Sequence, residues 1–117
     1  MIFRDDLAET VMAGEKTVTR RLCSENPRSP WWRERCALAP GRTFAVQPGR
    51  GKPSIARAHA ISVRREPLGT LSDGEARREG FATAKAFERA FTALLGAYNP
   101  AALVWRVELE LVAKIDR

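Results

Sequence analysis

The chain has 117 residues, 44% of them hydrophobic and 29% charged, with 20 Lys and Arg against 14 Asp and Glu and a net charge of +6. That length suits one domain spanning 1–117, and the apolar share excludes general disorder and any need for disulfide support. No apolar run approaches the length of a membrane-spanning helix. The start, Met1-Ile2-Phe3-Arg4-Asp5-Asp6, turns charged before a secretory segment can form, so a cytoplasmic protein with no membrane partner is expected.

Asp5 and Asp6 are good caps for a first helix, and Leu7, Val11 and Met12 give it an apolar stripe. Gly14 ends it, since glycine enters the left-handed region at least cost. Thr17, Val18 and Thr19 then begin a short β-branched strand. Alternation puts Thr17, Thr19 and Arg21 on one face and Val18 and Arg20 on the other. Lys16 at the turn, Thr19 and Arg21 can therefore converge on one cleft. A hydroxyl between two cations suits an anionic or amide-bearing ligand. The bland reading of the same residues is an edge strand with solvated arginines.

From Leu22 to Arg42, Pro27, Pro30, Pro40 and Gly41 break any period, and a long loop is expected, with a helical turn around Trp31 to Cys36. Of Trp31 and Trp32, one is expected to plug the core and the other to offer a stacking surface for a base; both packing the loop down is the alternative. Thr43 to Gln47 reads as a strand with Phe44 and Val46 on one face. The connection 48–53 is short, glycine-rich and basic. Arg50 and Lys52 there are placed to touch phosphates, or are solvated cations of an ordinary hairpin loop.

Ser54 to Arg65 reads as a long strand. Ala56, Ala58 and Ala60 form a row suited to a crowded interior, with Ile55, Arg57, His59, Ile61 and Val63 opposite. Between Arg20 and Arg65 the only acids are Glu25 and Glu34, so one end of the molecule is expected to be strongly positive and to favour RNA. Ser72 and Glu75 have capping-box spacing, and a short helix follows, stopping at Gly80. Thr83 opens another, with Ala84, Phe87, Phe91, Leu94 and Leu95 as its buried stripe and Gly96 as its end. Leu103 to Val112 alternates as a final strand. Cys23, Cys36 and His59 could supply three zinc ligands, but no Cys-x-x-Cys pair supports them, and neither metal nor cofactor is expected. Mostly antiparallel strands with a few helices make an α+β or small-barrel architecture.

Gly14 and Lys16, with Arg21 five residues past the lysine, resemble the Gly-x-Lys-x-x-x-x-Arg signature of ASCH domains. The resemblance covers most of the chain. It implies a small PUA-like β-barrel with an N-terminal helix and a helical insertion before the last strand. It also implies RNA or a modified nucleoside as partner, held in a basic cleft around Lys16, Thr19 and Arg21; the residues themselves add Arg20, Trp31, Trp32, Arg50 and Lys52 as expected further contacts.

Some ASCH proteins are amidohydrolases that deacetylate 4-acetylcytidine with a threonine nucleophile, a lysine three residues before it and a later glutamate. Lys16 and Thr19 keep that spacing, Glu79 is the best match for the glutamate, and Glu75 is the fallback. Arg21 would bind a phosphate or hold an oxyanion. The inserted loop bearing Trp31 and Trp32 departs from the hydrolase pattern. Metal-independent RNA cleavage using Lys16 and a hydroxyl is a further reading.

Overall fold

The computed structural model describes residues 1–69 and 71–115. In chain order the elements are α1 (Asp5–Met12), β1 (Val18–Leu22), β2 (Trp31–Trp32), β3 (Arg35–Cys36) and β4 (Thr43–Val46). Then follow β5 (Ala56–Pro67), α2 (Asp73–Arg78), α3 (Ala84–Leu95) and β6 (Leu103–Lys114). Four strands form an antiparallel sheet in the order β1-β6-β5-β4. The helical insertion before the last strand is present as α2 and α3.

The expected closed barrel is not. β1 and β4 are the edges of an open sheet. The N-terminal segment lies between them. Phe3 N–H donates to Gln47 O and Gln47 N–H to Met1 O, continuing β4, while the Arg21 guanidinium reaches from β1 to Ile2 O at 2.7 Å. One chain segment and one side chain thus span the gap where barrel strands would pair.

Two apolar cores flank the sheet. In the first, Phe3, Ala8 and Val11 cover Phe44, Val46, Val107, Leu109 and the alanine row Ala56, Ala58 and Ala60. The alanines have no exposed surface and lie in the same core as Phe3, Ala8 and Val11, the crowded interior their row predicts. In the second, Leu68, Leu71, Ala76 and Phe87 pack on Val104. Alternation along β6 serves both: Val107 and Leu109 enter the first core, Val104 the second.

Local signals were realised unevenly. Ser72 Oγ accepts from Glu75 N–H and Thr83 Oγ1 from Ala86 N–H, as cap chemistry requires. Asp5 and Asp6, by contrast, are not caps. Arg4 occupies the cap position of α1, and Asp6 instead takes the Arg4 fork at 2.7 and 2.8 Å. The helical turn expected at Trp31 to Cys36 is a two-stranded hairpin, β2 paired with β3. Opposite β6, Ala60 faces Leu109 and Ser62 faces Glu108, so Ile61 is an extra residue. That bulge turns Val63 onto the first core, against the simple alternation expected of β5. The last turn of α3 runs past the second core, leaving Leu94 and Leu95 exposed rather than buried.

Candidate functional site

Gly14, at φ 76°, ends α1 and turns the chain toward β1. The N–H groups of Glu15 and Lys16 both donate to Thr10 O, and Thr17 N–H donates to Arg78 O at the end of α2. This docking brings two distant parts of the chain together. Gly80 sits at φ 95°, and a Cβ there would stand 3.2 Å from Thr10 Oγ1 and 3.6 Å from Lys16 Cβ. The turn after α2 can press against α1 only because residue 80 has no side chain.

The Lys16 ammonium is buried in that junction. It donates to Val18 O at 2.8 Å, Glu79 O at 2.8 Å and Glu79 Oε1 at 2.9 Å. Three acceptors match the three hydrogens of an ammonium. Glu79 closes α2, so its carbonyl is one that a cation at a helix C-terminus naturally satisfies. Its other carboxylate oxygen accepts from Arg20 Nη1 at 2.9 Å, and Arg20 Nη2 reaches Glu75 Oε1 at 2.7 Å. Arg106 Nε donates to the same Glu75 oxygen at 2.8 Å. A continuous ionic chain results: Lys16, Glu79, Arg20, Glu75, Arg106.

Burial pushes Lys16 below the ordinary lysine range; Glu79 opposes that, while Arg21 and Arg20 add to it. Burial pushes the Glu75 carboxyl upward, but hydrogen bonds from Arg106 and Arg20 outweigh it and hold the group down at about 2. Arg21 is also lowered by burial, though a guanidinium stays charged at any working pH.

Lys16, Arg20 and Glu79 of that ionic chain face a cavity of about 400 Å³, while Glu75 and Arg106 lie outside its lining. Its floor holds Lys16, Thr19, Arg20, Arg21 and Glu79, and of these Lys16, Thr19 and Glu79 are only 3%, 4% and 2% exposed. The Thr19 hydroxyl makes no hydrogen bond to any described residue, unlike the saturated Lys16. Phe81, Phe87 and Phe91 form a wall, and Ile2, Leu22, Leu94 and Leu95 form the mouth. Sequence reasoning missed both groups. For the α3 members, Phe87, Phe91, Leu94 and Leu95, the signal was an apolar stripe longer than a 12-residue helix needs to pack on one side; Ile2, Leu22 and Phe81 gave none.

The remaining expected contacts lie elsewhere. Trp31 and Trp32 do not line the cavity. Trp31 packs on the first core, with Arg21 Cζ 5.7 Å from its ring centroid and 5.5 Å from that of Phe3. Trp32 is held by its carbonyl, which accepts from Trp105 Nε1 at 2.9 Å. Arg50 and Lys52 are exposed in the β4–β5 connection and lie outside the lining. Among the described residues no three His, Cys, Asp or Glu side chains stand close enough to hold a metal, and no helix is long and apolar enough to cross a membrane.

An antiparallel sheet with an N-terminal helix at its gap and two helices inserted before its last strand is an ASCH-like fold. Solved structures carry that statement. The chain matches a DUF984 protein from Enterococcus faecalis V583 at a TM-score of 0.71 and 19% identity, over 99% of this chain and 82% of the other. It matches an ASCH domain from Lactobacillus crispatus JV V101 at 0.71 and 18%, over 92% and 70%. A mutant ASCH protein from Zymomonas mobilis matches at 0.56 and 18%, over 94% and 65%. At these identities the likeness is one of fold. No family model matches the chain, and no curated protein matches it in sequence.

Proposed function

We propose that the cavity is a binding site for a nucleoside, with the base inserted toward Lys16, Thr19 and Glu79. One observation carries the reading: these three buried polar side chains meet on the floor of a single cavity of about 400 Å³. A nucleobase needs a flat apolar wall and a few polar groups at its edge. Phe81, Phe87 and Phe91 supply the wall, and the free Thr19 hydroxyl can donate or accept.

A free nucleoside fits better than an RNA strand. Arg50 and Lys52 are away from the cavity, and around its mouth the exposed Ile2, Leu22, Leu94 and Leu95 stand beside a single exposed cation, Arg4, whose guanidinium is engaged by Asp6. Calorimetric titration with cytidine, 4-acetylcytidine and a single-stranded RNA decamer tests the choice. Nucleoside binding that is lost in Thr19→Val and insensitive to salt is expected. Binding of the decamer alone, with a steep salt slope, overturns it in favour of an RNA-binding domain.

A second reading is amide hydrolysis, favoured by the lowered proton affinity of Lys16 beside an unpaired threonine hydroxyl. Thr19 Oγ attacks the acyl carbon of 4-acetylcytidine while Lys16 takes its proton. Arg21 stabilises the oxyanion, the amine of cytidine leaves with a proton, and water releases acetate from Thr19. Lys16 must first hand a proton to Glu79 Oε1, 2.9 Å away, because an ammonium has no lone pair with which to accept the threonine proton. Chromatographic detection of cytidine release that vanishes in Lys16→Met and Thr19→Val supports this reading; turnover unchanged in either variant rejects it.

A further inference from the structure

The mouth of the cavity is unusually apolar for a surface. Ile2 and Leu22 are 37% exposed, Leu95 47% and Leu94 78%, and all four line the same cavity. Among the described residues only Ile61 and Val112 are large exposed hydrophobics elsewhere. The four belong to three separate parts of the chain: the N-terminal segment, the end of β1 and the end of α3. Scattered apolar residues on a surface mean little, whereas a set converging on one concavity marks a contact. The apolar character continues inward through Phe91 to Phe87 before the polar floor begins.

We infer that the ligand has two ends: a polar head hydrogen-bonded by Thr19 beside the Lys16–Glu79 pair, and an apolar substituent that lies against Leu22, Leu94 and Leu95. A small molecule is the occupant because the patch is the rim of a cavity with a buried polar base, not a flat face. If the head is a nucleoside, as the reading above has it, the substituent is an alkyl or aryl group on the base. The inference therefore names a ligand class within that reading, and its apolar half stands apart from the identity of the head.

The test uses 4-N-methyl-, butyl- and hexylcytidine, which carry no amide to hydrolyse, beside cytidine, acetamide and hexanamide. Each added methylene buried in the mouth should tighten binding about fourfold. Leu94→Asp, an exposed position where folding is not at risk, should flatten the series. Equal affinity for cytidine and its hexyl derivative overturns the inference and leaves the nucleoside reading in place. Silence from every nucleoside, with hexanamide bound more tightly than acetamide and released by Leu94→Asp, removes that reading and retains the inference. A wild-type dimer that Leu94→Asp dissociates assigns the mouth to a second copy and overturns the inference.

Discussion

Lys16 and Glu79 are 63 residues apart in sequence, and their side chains meet at 2.9 Å with both almost wholly buried. Burying two charges is costly, and the pair persists because each is further satisfied: Lys16 by two carbonyls, Glu79 by Arg20. Removing one partner is worse than removing the interaction. Glu79→Gln leaves a buried ammonium without its counter-charge and should cost about 3–5 kcal/mol. Lys16→Met with Glu79→Gln should recover much of that loss. Urea unfolding of the single and double variants beside wild type measures it; a Glu79→Gln cost under about 1 kcal/mol contradicts the buried pair.

The junction that makes this meeting possible gives a second prediction. Gly14 and Gly80 both adopt positive φ, but a Cβ at Gly14 has open space, while one at Gly80 would crowd Thr10 Oγ1 at 3.2 Å. Gly14→Ala should therefore cost only the backbone conformation, about 1–2 kcal/mol. Gly80→Ala should cost more and should also weaken ligand binding, because it lifts Glu79 off Lys16. Equal losses at the two sites in thermal and urea unfolding would mean that α1 and the turn after α2 do not pack as closely as described.

Much of this site was readable in the residues, and the reasons differ by element. Gly14 has one cheap conformation, and the spacing of Lys16 and Thr19 is local, so the turn and the convergence of those side chains on one cleft follow from neighbours alone. Glu79 needed a likeness to a known family, since nothing local says what a helix-ending glutamate faces. Arg20 was placed on the opposite face from Thr19 by alternation, and there it sits beside its cross-strand partner Arg106 and meets Glu79 and Glu75 of the α2 segment, partners that no local signal could name. Trp31 and Trp32 carried no period and no glycine turn, so a hairpin there was not legible. The open sheet was also hidden, because whether β1 and β4 pair is a long-range matter, and the Arg21 to Ile2 O bond that spans their gap joins residues 19 apart.

Acid and base should act on stability through different ends of the ionic chain. Glu75 is held at about 2 in the folded state against an ordinary 4.5, so its contribution is fully present above about pH 4.5 and is lost as pH falls toward 2. Glu75→Gln should flatten the acid limb of the stability curve. Lys16 is shifted the other way: its folded proton affinity is lowered, so below 10.5 the unfolded chain binds the extra proton. Stability should rise with pH from the lowered value up to 10.5, and Lys16→Met should remove that rise. Fluorescence-monitored urea unfolding from pH 2 to 10.5 reads both limbs, and a Glu75→Gln curve parallel to wild type in acid would contradict the first.

Arg21 is the one floor residue whose position depends on the inserted loop. Its guanidinium lies between the rings of Phe3 and Trp31 and donates to Ile2 O. Trp31→Ala removes one ring and part of the first core's cover, and should cost about 2–4 kcal/mol for a half-buried tryptophan. Trp32→Ala keeps the backbone carbonyl that Trp105 uses, so its effect should stay under about 1 kcal/mol. Binding should follow the same order, with Trp31→Ala weaker than wild type through a mobile Arg21 and Trp32→Ala unchanged. If Trp32→Ala loses the ligand while the fold holds, a base stacks on the loop rather than in the cavity, and the stacking surface expected from the Trp-Trp pair is restored.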